Sequence, residues 1–219
     1  MDSLIKLSAS KVKVWESCSW IFFSRYYLRL PDVSNSGAKR GSVAHLILEL
    51  LINPRHGKHL DSILKANNIE GSKAVFRLVK KAAKREKLDL SELENSEILN
   101  SIILVGLKYE FFGHTDLSLV KEVKTEGEFN IHLSKEVLIN GFIDKVVHYI
   151  DGNLEVKDYK GSKKRFNGDE IAYNVQALMY SLAIFKKTGR IPEVEFIFLR
   201  FPKKTSQRVK KCTEDELLG

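Results

Sequence analysis

The sequence predicts a mixed α/β domain, with a helical N-terminal lobe leading into a central mixed sheet flanked by helices. Three observations predict it. Residues 1–115 are dominated by apolar residues at helical spacing with helix start and stop signals. Residues 116–205 turn to runs rich in β-branched and aromatic residues around one further helical stretch. The order is helices, three strands, helix, strand. The 219 residues suffice for one domain with its own core, so 1–219 reads as a single unit: helical lobe 1–115, sheet with one long helix 116–205, basic tail 206–219.

In chain order, Ser8 or Ser10 caps a helix expected to run to about Leu30, with Val12, Trp15, Ile21, Phe22 and Tyr26 as apolar content and Pro31 as its stop. A polar loop, DVSNSGAKRG, follows. GSVAHLILELLI is a very apolar helix stopped near Asn53-Pro54. Helices are expected at Leu60–Ala66 and Ser72–Glu86, and Ser91 with Glu94 forms a capping-box pair before a helix reaching about Phe112. Strands are expected at Lys124–Leu133, Val137–Ile150 and Leu154–Lys160, the last two joined as a hairpin by Asp151-Gly152-Asn153. Gly168-Asp169 precedes a helix to about Lys187 that Gly189 ends. Pro192 leads into a strand at Val194–Phe201. The tail closes on TEDELLG, the start of a helix that does not continue, which reads as a shortened chain.

The net charge of +8 favours polyanionic partners, because binding them releases counterions. The two cysteines, Cys18 and Cys212, have neither zinc-type spacing nor the density of a disulfide framework, which fits a reducing cytoplasm. No apolar run approaches the roughly 20 residues of a membrane span, and the N-terminus lacks a secretory core.

The chemistry begins at VKDYKG. Alternate strand residues share a face, so Asp158 and Lys160 point the same way as Leu154 and Val156. They read either as an ion pair at a sheet edge or as working groups. The neighbouring INGFIDKVVHYI sets Asp144 in an apolar run, on the face of Phe142 and Val146. Two close carboxylates favour a shared proton or a divalent cation, and oxygen ligands select hard ions such as Mg²⁺ or Mn²⁺. Gln176 and Tyr180 lie four apart on one helix face, either as half-exposed polar residues or as a platform beside the acids that Tyr173 extends. His45, in VAHLILELL, reads from its own surroundings as a core histidine, though neutral imidazole is also a metal ligand.

Taken in order, SASKVKVWESCSWIFFSRYY, GSVAH, GFID, VKDYKGSK and QALMY resemble the RecB-type nuclease domain, including AddB-type members, of the PD-(D/E)XK superfamily, over about Lys6–Phe201. The resemblance implies a restriction-endonuclease-like fold and a metal-dependent DNA nuclease using one or two Mg²⁺ or Mn²⁺ ions. It implies His45 as a metal ligand from the helical lobe, Asp144 as the GxxD ligand, Asp158 as the second acidic ligand and Lys160 as the catalytic lysine. The Tyr159 carbonyl would complete the shell, and Gln176 and Tyr180 match the QxxxY motif that positions strand and site. Glu126, in EGEF, matches an ExxF glutamate of less defined role. Cys18 matches the first cysteine of the iron–sulfur cluster in many relatives, but the later trio is absent, so no cluster is expected. Gly161 stands where relatives commonly have threonine.

Lys163, Lys164 and Arg165 follow the Lys160 strand and are placed at the mouth of the site, with Lys39 and Arg40 on the opposite side, ready for phosphates. The aromatics of Trp20–Tyr27 are expected in the core in preference to stacking on bases. The resulting expectation is an exonuclease able to use single-stranded DNA, with helicase, recombinase or replication proteins as partners, no membrane, and an undetermined oligomeric state. The rivals are a nicking or structure-specific endonuclease and a non-catalytic DNA-binding module.

Overall fold

The computed structural model describes residues 4–31, 35–52, 56–112 and 117–218, without the side chains of residues 111, 112, 117 and 126. Its elements, in order, are β1 (Ile5–Leu7), α1 (Ala9–Ser17), α2 (Ser19–Phe22) running into a π-helical turn (Phe23–Tyr27), α3 (Ser36–Ile52), α4 (Gly57–Ala66), a 3₁₀ turn (Ile69–Gly71), α5 (Lys73–Arg85), α6 (Leu93–Phe112) and a second 3₁₀ turn (Leu117–Leu119). Then come β2 (Val120–His132), β3 (Val137–Tyr149), β4 (Leu154–Lys160), α7 (Asp169–Ala172), α8 (Val175–Thr188), β5 (Glu193–Phe198), β6 (Ser206–Arg208) and α9 (Glu214–Leu218). The architecture is the predicted mixed sheet flanked by helices.

β3 organises the sheet. β2 lies antiparallel along one of its edges from Val120↔Tyr149 to His132↔Leu138. The other edge is shared: β1 runs parallel to Val137–Ile139, and β4 runs antiparallel to Lys145–His148. Residues 140–144 of β3 lie between these two partners, so the sheet is split at that edge. Beyond β4 come parallel β5 and antiparallel β6.

Side-chain alternation divides the sheet into two cores. On one side, Val146, Leu154, Val156, Val194, Phe196 and Phe198 pack against Ala177, Tyr180 and Ile184 of α8. On the other, Tyr159, Ile197 and Leu199 meet the lobe, where α3 buries Val43, Ile47, Leu48 and Leu51 as one apolar stripe. α6 approaches α3 at Gly106, where a Cβ would come within 2.7 Å of both Leu48 methyl carbons. Glycine there trades helix propensity for close packing.

The lobe side of the sheet also buries charge. Lys157, 1 % exposed, sits 3.5 Å from Glu155 and 3.2 Å from Glu195. Lys145 pairs with Glu110 of α6, and Glu110 also accepts the Tyr159 hydroxyl at 2.6 Å. Glu155 further accepts from the Tyr149 hydroxyl (2.7 Å) and Arg208 (2.9 Å). Buried charges persist when paired and hydrogen-bonded, and α6 contributes polar partners to this layer.

Several boundaries differ from expectation. The first helix is broken at Cys18, and its second part winds as a π turn. Cys18 has extended backbone (φ −165°, ψ 108°), so it ends one helix and leads into the next. α3 starts at Ser36 rather than Gly41, because the Asn35 side chain accepts from Ala38 N–H and nucleates the helix earlier. Its expected stop at Asn53-Pro54 lies outside the described residues. Ser91 donates to Asp89 instead of completing a capping box. The long helix after Gly168 breaks at Tyr173, and α8 begins afresh at Asn174, whose side chain accepts from Gln176 and Ala177 N–H. β1 and β6 were not expected. Part of the basic tail is therefore sheet, with Arg208 tied to Glu155 and Glu193.

Candidate active site

The acids stand where the β3–β4 ladder ends. The last paired rung is Lys145↔Lys157, and the next residue on each strand is Asp144 and Asp158. The strands part here, and Tyr159 N–H turns to Asp144 Oδ2 at 2.8 Å instead of to β3 main chain. Opposed antiparallel positions share a face, so both carboxylates point to the α8 side of the split.

Asp158 is 2 % exposed. Its Oδ1 accepts from the Tyr180 hydroxyl at 2.7 Å and from Gln176 Nε2 at 2.9 Å. Gln176 Oε1 in turn accepts from Lys160 Nζ at 2.8 Å. Asp158 Oδ2 is closed off from solvent and forms an ion pair with the Lys160 ammonium at 2.6 Å. Burial pushes the Asp158 carboxyl above the ordinary carboxylate range, Lys160 pulls it back, and Asp144 adds to the rise. Burial and the Asp158 charge hold the Tyr180 phenol protonated, far above its usual value, so it stays a donor.

His45 enters from α3. Its Nδ1 lies 3.3 Å from Asp144 Oδ2, and its ring meets Tyr159 edge-on. Burial works against its charge, yet the Asp144 hydrogen bond and charge outweigh that and raise its pKa. Protonated, it bridges the lobe to the sheet.

The donor set comprises two carboxylates and an imidazole, with the buried Asp158 Oδ2 held by the Lys160 ammonium. That set suits a hard divalent cation. Among the described residues, no three His, Cys, Asp or Glu side chains converge closely enough to enclose a metal by themselves. A cation here would need main-chain, water or substrate oxygens as well, which is the habit of Mg²⁺. Glu126 lies on β2, and its side chain falls outside the description.

The outlying residues divide. Lys163 and Lys164 are exposed beyond β4. Arg165 departs from the expected mouth position: it donates to Ser206 C=O at 2.7 Å and lies over Phe198, because β6 supplies an acceptor that the sequence did not reveal. Lys39 reaches Lys87 C=O at 2.9 Å. Arg40 is 6 % exposed and donates to Asn95 at 2.5 Å, so it is a buried residue rather than a surface cation. Tyr173 is exposed under Lys210, at the break before α8 rather than within the helix of Gln176 and Tyr180. The expectation of a buried Trp20–Tyr27 segment is overturned. Trp20 is 68 % and Tyr27 74 % exposed, and Trp20, Phe23 and Tyr27 stack in sequence along the helix. The broken, π-wound helix carries these rings out of the core. Arg200, beside the mouth, was missed: it falls inside the expected strand Val194–Phe201, whereas β5 ends at Phe198 and leaves it on the loop beyond.

This fold and carboxylate–lysine arrangement define a nuclease-like α/β class. A family model described as PD-(D/E)XK nuclease superfamily matches residues 6–217, and the chain belongs to that superfamily. It is similar to an ATP-dependent helicase/deoxyribonuclease subunit of Streptococcus mutans (26 % identity over 171 residues, 76 % of this chain and 15 % of the relative). The same-named protein of Streptococcus equi subsp. zooepidemicus shares 27 % over 167 residues, 74 % of this chain and 15 % of its own. The chain thus spans about 15 % of the length of these relatives. A solved structure of a candidate exonuclease from Eubacterium rectale aligns with a TM-score of 0.51 and 14 % identity, covering 97 % of this chain and 74 % of that one. At that identity the likeness is one of fold. Among the described residues, no helix is long and apolar enough to cross a membrane.

Proposed function

We propose that the protein is a metal-dependent deoxyribonuclease, an exonuclease able to act on single-stranded DNA. The observation that carries the reading is the meeting of Asp144, Asp158 and Lys160 where the β3–β4 ladder parts, clamped by Gln176 and Tyr180. Membership of a nuclease superfamily and the deoxyribonuclease names of the relatives support it. The helicase in those names also supports a helicase partner for this chain.

Asp144, Asp158 and His45, with the Tyr159 carbonyl, would hold Mg²⁺ or Mn²⁺. When bound, such an ion activates water and neutralises charge on a phosphodiester. The chain's own residues supply the rest. Tyr180 and Gln176 fix Asp158 Oδ1 and leave Oδ2 toward Lys160. Lys160, held by Gln176, places a cation where negative charge develops on the phosphate. His45 would ligate as the neutral imidazole, a form that its contact with Asp144 opposes. Lys163 and Lys164 supply phosphate contacts.

The test is cleavage of end-labelled linear and circular DNA, single- and double-stranded, with Mg²⁺, Mn²⁺ or chelator. Cleavage of linear single strands with either ion, abolished by chelator and sparing circles, is expected. Cutting of circles would replace the exonuclease reading with an endonuclease. Lys160→Ala is expected to lower the rate roughly 100-fold or more, and an unchanged rate removes Lys160 from the chemistry.

A further inference from the structure

Beside Lys160 the chain leaves an open groove of about 800 Å³. One wall is the start of α3, from Asn35 to Gly41; the other is Gly161, Ser162, Lys163 and Arg200. We propose that this groove is a backbone-phosphate subsite, holding the DNA strand one step from the bond that is cut. The proposal rests on the nuclease reading above.

Three features carry it. Among the described residues the groove's lining holds Arg40, Lys163 and Arg200 and no acidic side chain, so it attracts anions rather than cations. Its α3 wall is the N-terminal end of a 17-residue helix, where the helix dipole favours negative charge, although Asn35 already takes the Ala38 N–H. Arg40 gives the independent observation. It is 6 % exposed, and among the described residues it donates to neutral Asn95 while its Nε meets no acceptor. Among the described residues no carboxylate pairs with it. A buried guanidinium without a counter-anion is costly, and a phosphate in the groove would offset that cost.

Two glycines shape the space. Gly161 follows Lys160 directly, and a Cβ on it would touch only Gly41 Cα, at 3.8 Å. Neither wall has a side chain at this neck, so backbone can approach a phosphate closely. Consecutive Cα atoms lie about 3.8 Å apart, so an anion against Gly161 neighbours the Lys160 site rather than a remote one.

The experiment uses the full chain and a short single-stranded oligonucleotide carrying one neutral methylphosphonate linkage, moved stepwise along the strand. With Mg²⁺ or Mn²⁺, the wild type is expected to show suppressed cleavage at a fixed offset from the neutral linkage. In Arg200→Ala that offset suppression is expected to vanish. Binding of unmodified oligonucleotide in chelator should lose about one unit of log K against log salt slope in the same variant. Cleavage without an offset effect overturns the subsite and leaves the nuclease reading intact. Absent cleavage overturns the nuclease reading; the slope then decides, a unit's drop supporting the subsite and an unchanged slope ending it. Displacement of the oligonucleotide by inorganic phosphate at comparable concentration would also overturn it, since that marks an isolated anion site. Arg40→Gln serves as a second variant, and should it fail to fold, Arg200→Ala decides alone.

Discussion

At the scale of single residues, the site is a chain of hydrogen bonds that fixes one oxygen of Asp158 and leaves the other to the Lys160 ammonium. Tyr180 hydroxyl and Gln176 Nε2 both bind Oδ1, so losing one tilts the carboxylate. Tyr180→Phe is expected to reduce metal affinity or cleavage about 10- to 100-fold, read by titrating Mn²⁺ in the cleavage assay, with little change in the circular dichroism spectrum. The buried charges on the other face give a pH prediction. Burial raises the Glu195 carboxyl, but Lys157, the Ser206 hydroxyl and Tyr109 together pull it below its ordinary 4.5. A carboxylate depressed in the folded state adds stability above its unfolded pKa and loses it as pH falls through the folded value. Glu195→Gln is therefore expected to cost about 3 kcal/mol near neutrality by leaving Lys157 short of a partner. That gap should narrow as pH drops below 4.5, measured as urea midpoints against pH. A gap constant with pH would show that Glu195 is not ionised in the folded state.

At the scale of elements, what was legible followed from periodicity. Asp144, Asp158 and Lys160 were read on one face because strand alternation has period two and their neighbours Val146, Leu154 and Val156 are apolar. β1 and β6 were not, because three-residue strands at the sheet's margins are too short to show a period. Lys145, Glu155, Lys157 and Glu195 carry the polar half of the alternation, which ordinarily marks solvent; here α6 covers them and Glu110 answers Lys145, a partnership across 35 residues that no local pattern encodes. The break at Tyr173 was hidden because helix-compatible residues flank it on both sides, and Asn174 decides it by capping α8. Asn174→Ala is expected to cost about 1 kcal/mol of stability. It should also lower cleavage by letting the first turn, which carries Gln176, fray. A fall in melting temperature with undiminished turnover would separate the cap from the site.

At the scale of the whole molecule, the sheet joins two cores, and the proposed ion would tie them, since His45 belongs to the lobe and both acids to the sheet. A ligand binding only the folded state stabilises it by about 2.7 kcal/mol at 100 times its Kd, or roughly 5–11 °C at 2–4 °C per kcal/mol in a domain of this size. Saturating Mn²⁺ is expected to raise the melting temperature by that order in the wild type and not in Asp158→Ala. A shift surviving in the variant would put the ion elsewhere.

The turn at Asp151–Asn153 touches none of these groups in sequence, yet it sets their sidedness. One residue inserted there, if the ladder slipped to accommodate it, would rotate the whole following strand by half a period. Asp158 and Lys160 would then face the lobe's ionic layer, Tyr159 would turn toward α8, and composition would be almost unchanged. Sidedness of the chemistry is thus a property of counting: a slipped hairpin would also push Glu155 and Lys157 into the apolar core against α8 and should cost stability as well as activity, whereas a two-residue insertion preserves parity and with it the orientation of the acids.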